Sequence, residues 1–382
     1  MLAKRLENLH PYVPGEQPSD RVYIKLNANE NPYAPDKSVG KAVKQIVSAK
    51  LGKLGLYPDP DANVLRAAIA DMLNQTGGVL CRTSAKGKLC MPANQDKIPF
   101  TVTPDMIFCG NGSDEVLSFV FYTFFDSDRP IVMPTFTYSF YPVYCGFYSI
   151  PMDQVPLRPD WTLDTERMID DANKTDSCTI FANPNAPTGK ALTRKEVAAM
   201  IRRSPKDRIF VVDEAYCDFG GESCIPLLAE FDNLVIVRTF SKSFSFAGMR
   251  LGFVVSSPKL IQAIFTVKNS FNHFPADVLA QTAGVASCRA AKYYADCARK
   301  VVSERESMTQ FLRAHGWFVI DSTTNFLFAK KEGVPGEQVY QSVKKEGILI
   351  RHFGTPGIED FVRITIGTKP QMDALKKVMA SI

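Results

Sequence analysis

The chain has little that would suit it to a metal, a membrane or a nucleic acid. Its four histidines, at positions 10, 273, 315 and 352, are too dispersed for metal-ligand spacing. Nine cysteines are odd in number and widely spread, with no CxxC pair, which favours reduced thiols in a cytosolic protein. The apolar stretch from Phe119 to Phe125 is far too short to span a bilayer. The start, Met1-Leu2-Ala3-Lys4-Arg5-Leu6-Glu7-Asn8, has neither a long apolar core nor a small-residue cleavage pattern, so no secretory signal is expected. There is no basic tract. The formal net charge of +5 is spread among acids, which leaves room for a positive pocket but argues against nucleic acid or membrane as partner. A Walker-type glycine-lysine signature is also missing, so a nucleotide triphosphate is a poor alternative.

What is present is ordinary for a globular protein: 382 residues, 45% hydrophobic and 22% charged, enough for about two or three domains. Short apolar runs alternate with helix-sized segments. They include Met106 to Cys109, Ile131 to Met133, Thr179 to Ala182, Ile209 to Val212, Leu234 to Val237 and Gly252 to Val255. This pattern predicts an α/β fold with a mostly parallel sheet covered by helices on both faces. Ligands in such sheets bind beyond the carboxyl ends of the strands. After about residue 265 a long charged helical stretch, Ala286 to Ala314, gives way to short strands, which reads as a smaller α+β domain. The expected division is an N-terminal segment 1–45 joining the small domain, a large domain 46–265 and a small domain 266–382. Residues 76–100 follow neither period and read as an inserted loop.

The chemistry-bearing residues fall at strand ends. Lys242 lies between Ser241 and Ser243, after the strand ending at Val237. A loop lysine alone is usually a solvated charge, but Asp213 directly follows a buried apolar run, where a carboxylate is costly unless it meets a cation. Its bland reading is a helix N-cap, and that of Tyr216 a packed aromatic. Gly110-Asn111-Gly112-Ser113-Asp114-Glu115 links a strand to an apolar helix, an arrangement that binds phosphate through free N–H groups, or simply starts a helix. Ser241 and Arg250 could complete such a site. An amine, a carboxylate and a phosphate cradle are what pyridoxal 5'-phosphate requires, with its aldehyde, pyridine nitrogen and dianion. The turn Asn183-Pro184-Asn185-Ala186-Pro187-Thr188-Gly189 is weak evidence alone. Arg351 and Arg363, on or beside β-rich runs, would clamp an anion if both faced a cleft.

With these residues in order, the chain resembles the fold type I pyridoxal phosphate-dependent aminotransferases, and most closely the histidinol-phosphate aminotransferases. The motifs that carry the resemblance are Leu26-Asn27-Ala28-Asn29-Glu30-Asn31-Pro32, Tyr57-Pro58-Asp59-Pro60, Gly110 to Glu115, Pro184 to Gly189, Asp213 to Tyr216, Arg238 to Arg250, Thr324-Asn325-Phe326 and Val362 to Thr368. The resemblance implies that Lys242 forms the imine with the cofactor, Asp213 pairs with the pyridine nitrogen and Tyr216 hydrogen-bonds the ring oxygen. It places Gly112, Ser113, Asp114, Ser241 and Arg250 around the phosphate, with Tyr57 contributed by the other subunit of a homodimer. It puts Arg363 on the substrate carboxylate or phosphate, Arg351 on a second anionic group, and Tyr12 and Asn29 at the substrate.

Three departures stand out. Ala186 occupies the place of the family's ring-oxygen asparagine, for which Asn183 or Asn185 could substitute. Phe136 occupies the place expected for a ring-stacking tyrosine, and the segment between Tyr57 and Gly110 is long. The implied reaction is transamination of L-histidinol phosphate with 2-oxoglutarate, giving imidazole acetol phosphate and L-glutamate in histidine biosynthesis. Aromatic amino acid transamination and decarboxylation of a phosphorylated amino acid are the alternatives.

Overall fold

A computed structural model describes residues 6, 9–12, 15–49, 51–83, 89–90 and 97–382. Seven strands form the main sheet, in the order Ile107–Gly110, Gly252–Ser256, Leu234–Thr239, Phe210–Asp213, Thr179–Ala182, Ile131–Pro134 and Met152–Val155. Gly252–Ser256 runs antiparallel to both neighbours, and the remaining pairs are parallel. Side chains alternate across the sheet, as a period of two requires. Val212, Ile236, Phe253 and Val255 enter the core on one face, and Val211, Val235, Val237 and Val254 the core on the other. Burial on both faces is why these strands read as unbroken apolar runs.

The flanking helices start where side chains satisfy their first amides. Thr193 and Glu196 form a capping box for Arg194–Arg203, and Asp277 accepts from Leu279 N and Ala280 N ahead of Val278–Arg289. A second, antiparallel sheet has the order Trp317–Val319, Phe326–Lys331, Val362–Thr365 and Arg351–His352. The N-terminal Ile24–Lys25 pairs in parallel with Ile348–Leu349, which ties the start of the chain to its C-terminal part.

The expected boundary is residue 265. It lies within helix Pro258–Phe271, whose Ile261, Ile264 and Phe265 pack against the main sheet. Tyr294 and Ala295 still belong to the main-sheet core, whereas Ala298, Val301 and Val302 belong to that of the small sheet, so the changeover falls inside helix Ala291–Ala314. Of the expected inserted loop, 84–88 and 91–96 lie outside the described residues. At its beginning Thr76 ends helix Asn63–Thr76, Gly77 caps it with φ 65°, and the irregular residues Val79, Leu80 and Cys81 are buried.

Candidate active site

A cleft of about 340 Å³ opens between the two sheets. Lys242, Tyr216, Asn29, Tyr12, Phe136, Arg351 and Arg363 all line it, as do Tyr138, Thr137, Asn27 and Ala186. The half-buried Lys242 Nζ donates to Ala28 O at 3.3 Å and stands 5.8 Å from the Tyr216 ring centroid. Its loop is fixed from two sides. Asn31 Nδ2 donates to Lys242 O at 3.1 Å and Ser243 O at 3.2 Å, and Ser243 Oγ donates to Asp218 Oδ2 at 2.6 Å. Asp218 in turn shares the buried Arg238 guanidinium with Glu214, at 3.0 and 3.1 Å.

Asp213 ends the strand Phe210–Asp213 and is 4% exposed. Tyr141 OH donates to its Oδ2 at 2.9 Å and Ala215 N to its Oδ1 at 3.1 Å. Burial pushes the carboxyl up to about 6, against the pull of those two hydrogen bonds. Such a group gains from a cation brought beside it. Tyr216 OH accepts from Asn29 Nδ2 at 2.9 Å, which leaves its own hydrogen to donate elsewhere. Asn29 is held at φ 55° by Thr365 Oγ1, which accepts from its backbone N and donates to its Oδ1, and by Asn325 Nδ2, which donates to its carbonyl. The residue expected at the substrate is thus also the support of Tyr216.

The expected phosphate site lies at the start of helix Gly112–Phe124, joined to this cleft through Tyr138. Helix Gly112–Phe124 begins without a side-chain cap at Asn111, so its first amides keep no partner from that quarter. Asp114 does not cap the helix either: Oδ2 pairs with Arg250 Nη2 at 2.9 Å and Oδ1 accepts from Tyr138 OH at 2.7 Å. Its carboxylate is thus engaged by both Arg250 and Tyr138. Gly112 has φ +84°, and a Cβ there would stand 2.5 Å from Arg250 Nη2, so only glycine lets the guanidinium lie over the helix start. Ser241 is buried at the same mouth, its N donating to Thr239 Oγ1 at 3.0 Å, and Ser113 is half-buried in the first turn.

The polar atoms left over point to a ligand. Among the described residues, Asn27 Oδ1, Thr137 Oγ1 and Arg363 Nε are buried and unpartnered at the cleft, as is Asn185 Oδ1 in the turn beside it. Asn183 is engaged at both ends with Leu192, and Asn185 Nδ2 donates to Phe136 O and Thr188 Oγ1. Both donors of Asn185 Nδ2 are thereby used, whereas Asn183 Nδ2 keeps one N–H. Phe136 lines the cleft, but its ring stands 6.4 Å from Trp161. Tyr138, two residues on and not singled out in the sequence, joins the cradle to the cleft, and Tyr141 holds Asp213. The aromatic run 136–148 held that signal, but its pattern alone does not say which ring faces inward. Tyr57 is 82% exposed and does not line the cleft of its own chain.

Residues 21–379 match the family described as aminotransferase class I and II. The histidinol-phosphate aminotransferase of Syntrophus aciditrophicus is 45% identical, over 98% of this chain and 96% of the relative. That of Chromohalobacter salexigens is 39% identical, over 99% and 97%. Among solved structures, histidinol-phosphate aminotransferase from Sinorhizobium meliloti in complex with pyridoxal-5'-phosphate superposes with a TM-score of 0.82 at 22% identity, over 100% of this chain and 98% of that one. Aspartate aminotransferase from Thermus thermophilus with maleate gives 0.77 at 18%, over 99% of each. The chain belongs to the class I and II aminotransferases.

Proposed function

We propose that this chain is a pyridoxal phosphate-dependent aminotransferase that transfers the amino group of L-histidinol phosphate to 2-oxoglutarate. The products are imidazole acetol phosphate and L-glutamate, a step of histidine biosynthesis. The observation that carries the reading is one cleft holding an amine, Lys242, and the paired guanidinium groups of Arg351 and Arg363, with the buried acid Asp213 at the strand end. Near-full-length relatives bearing that enzyme's name support the choice of donor.

Bound pyridoxal phosphate supplies an aldehyde for amine capture and a pyridinium ring that withdraws electrons from the reacting carbon. Lys242 Nζ would hold the aldehyde carbon and, when free, would move a proton from the donor carbon. Asp213 would hold the proton on the ring nitrogen, supplying its buried carboxylate with a cation. Tyr216 OH, supported by Asn29, donates to the ring oxygen. Arg250, Ser241, Ser113 and the amides from Gly112 onward bind the phosphate, while Asp114 aims Arg250. Phe136 and Tyr138, both lining the cleft, would flank the ring, and Asn185 would approach it from the turn Asn183 to Gly189.

Arg363 and Arg351 bind the anionic groups of donor and acceptor, and Tyr12 closes over them. The working unit is a homodimer in which Tyr57 reaches the partner's cofactor phosphate, and the compartment is the cytoplasm. No helix among the described residues is long and apolar enough to cross a membrane. The chain divides into an N-terminal segment, a cofactor-binding unit extending to about 295, and a small C-terminal unit. A panel of amino donors with 2-oxoglutarate tests the reading: histidinol phosphate should give the highest kcat/KM. Preference for phenylalanine or tyrosine would make this an aromatic aminotransferase instead, and loss of carbon dioxide without glutamate formation a decarboxylase.

A further inference from the structure

The turn that carries Tyr57 rests on a charge kept away from water. The Tyr57 ring stacks on Phe274, with centroids 4.5 Å apart and planes 12° from parallel. Beneath it Lys268, near the end of helix Pro258–Phe271, is 0% exposed. Its Nζ donates to Pro60 O at 3.0 Å and to Asp61 Oδ1 at 3.0 Å, and stands 5.2 Å from the Phe265 ring centroid. A buried ammonium is tolerated only where acceptors face it, so the turn backbone must stay in register with the helix to keep both contacts. A neutral tether, Gln281 Nε2 to Asp59 O at 2.9 Å, acts alongside.

The same helix end also braces the anion cradle. Asn272, just past the helix, donates from Nδ2 to Glu115 Oε1 at 2.8 Å, and Glu115 Oε2 accepts from Asn111 N at 2.6 Å, one residue before Gly112. Helix Pro258–Phe271 therefore contacts the cradle of its own subunit through Asn272 and steadies the exposed tyrosine through Lys268, Phe274 and the turn between them.

We infer that Lys268 is a positioning residue for Tyr57, fixing the turn so that the tyrosine hydroxyl is presented to the phosphate bound in the partner subunit. This rests on the reading of Tyr57 given above. A side chain 82% exposed in the single chain loses freedom when it docks, and a turn already fixed from below reduces that loss.

The test uses the dimer loaded with pyridoxal phosphate and measures the rate of cofactor release, followed by absorbance, beside thermal unfolding of the cofactor-free protein. Tyr57→Phe should release cofactor about tenfold faster, the scale of one lost phosphate hydrogen bond. Lys268→Met, similar in length but unable to hold the turn, should approach the same rate with the dimer intact. The double variant should be no faster than Tyr57→Phe alone, the coupling expected of residues acting through one contact. Asp61→Asn removes the exposed partner of the pair, so it keeps the inference falsifiable if Lys268→Met fails to fold. It should speed release less, and not at all when Tyr57 is already phenylalanine. Wild-type release in Lys268→Met or Asp61→Asn, or effects that simply multiply in the double variant, would overturn the inference while leaving Tyr57 in place. Unchanged release in Tyr57→Phe itself would instead remove the reading beneath it.

Discussion

Arg351 lies directly across the antiparallel pair from Arg363, so both guanidinium groups rise from one face of the small sheet. Each stands 5.4 Å from the Phe353 ring centroid. Like charges placed opposite one another repel, and an anion between them removes the cost. Arg363 is the more confined of the two: burial holds its guanidinium below the usual arginine value, and its Nε is without a partner.

Replacing Arg363 with alanine should therefore weaken both half-reactions. Loss of a buried charged contact costs about 2 to 5 kcal/mol, so kcat/KM should fall at least roughly thirtyfold for the donor and for 2-oxoglutarate alike. Steady-state kinetics with both substrates varied decide it. Wild-type values would make the arginine a surface charge.

Asp213 gives a pH signature in the cofactor-free protein. Its folded value of about 6 lies above the ordinary 3.8, so burial favours the protonated carboxyl. The associated stability is fully present below about pH 3.8 and is lost as pH rises through about 6. Asp213→Asn, which cannot ionise, should gain on the wild type by about 1 to 3 kcal/mol between pH 5 and pH 8. With pyridoxal phosphate bound the gain should vanish or reverse. Thermal unfolding of both proteins across that range measures it, and a pH-independent difference would mean that the carboxylate already has its counter-charge.

Gly112→Ala tests the cradle without touching a functional group. The new Cβ would stand 2.5 Å from Arg250 Nη2, at a φ of +84° that side chains avoid. Arg250 must move off the helix start. Cofactor should be released at least about tenfold faster, with one phosphate contact weakened. Retention equal to the wild type would show that the phosphate does not depend on Arg250.

The strands and the residues at their ends were legible because burial on both faces leaves continuous apolar runs, and Asp213 and Lys242 punctuate two of them. Tyr138 was not, because in a segment as aromatic as 136–148 the pattern does not say which ring meets Asp114, a partner distant in the chain. Asn29 was placed at the substrate, but its tie to Tyr216 depends on Thr365 and Asn325 from the small sheet. The expected boundary at 265 falls within helix Pro258–Phe271, whose amphipathic pattern does not say which sheet it covers. Lys268 reads as one more surface lysine until the turn at Pro60 and Asp61 is laid over it.

The sharing of sites across a dimer is open to complementation. Lys242→Ala subunits should be inactive, and Tyr57→Phe subunits nearly so when assayed at cofactor concentrations too low to keep them loaded. Unfolded together and refolded, they should regain roughly a quarter of all sites, because half the dimers are mixed and each mixed dimer has one intact site. Activity no higher than the average of the two parents, with mixed dimers confirmed, would place the tyrosine within its own chain or outside the reaction.

Whether Lys242 Nζ holds the cofactor is decided by reductive trapping. Borohydride reduction of the purified, pyridoxal phosphate-loaded protein, followed by proteolysis and mass spectrometry, should place the added pyridoxyl group on the peptide containing Ser241-Lys242-Ser243. Lys242→Ala should lose both the label and the yellow absorbance of the loaded protein. Label on a different lysine, or none in a protein that transaminates, would contradict the account.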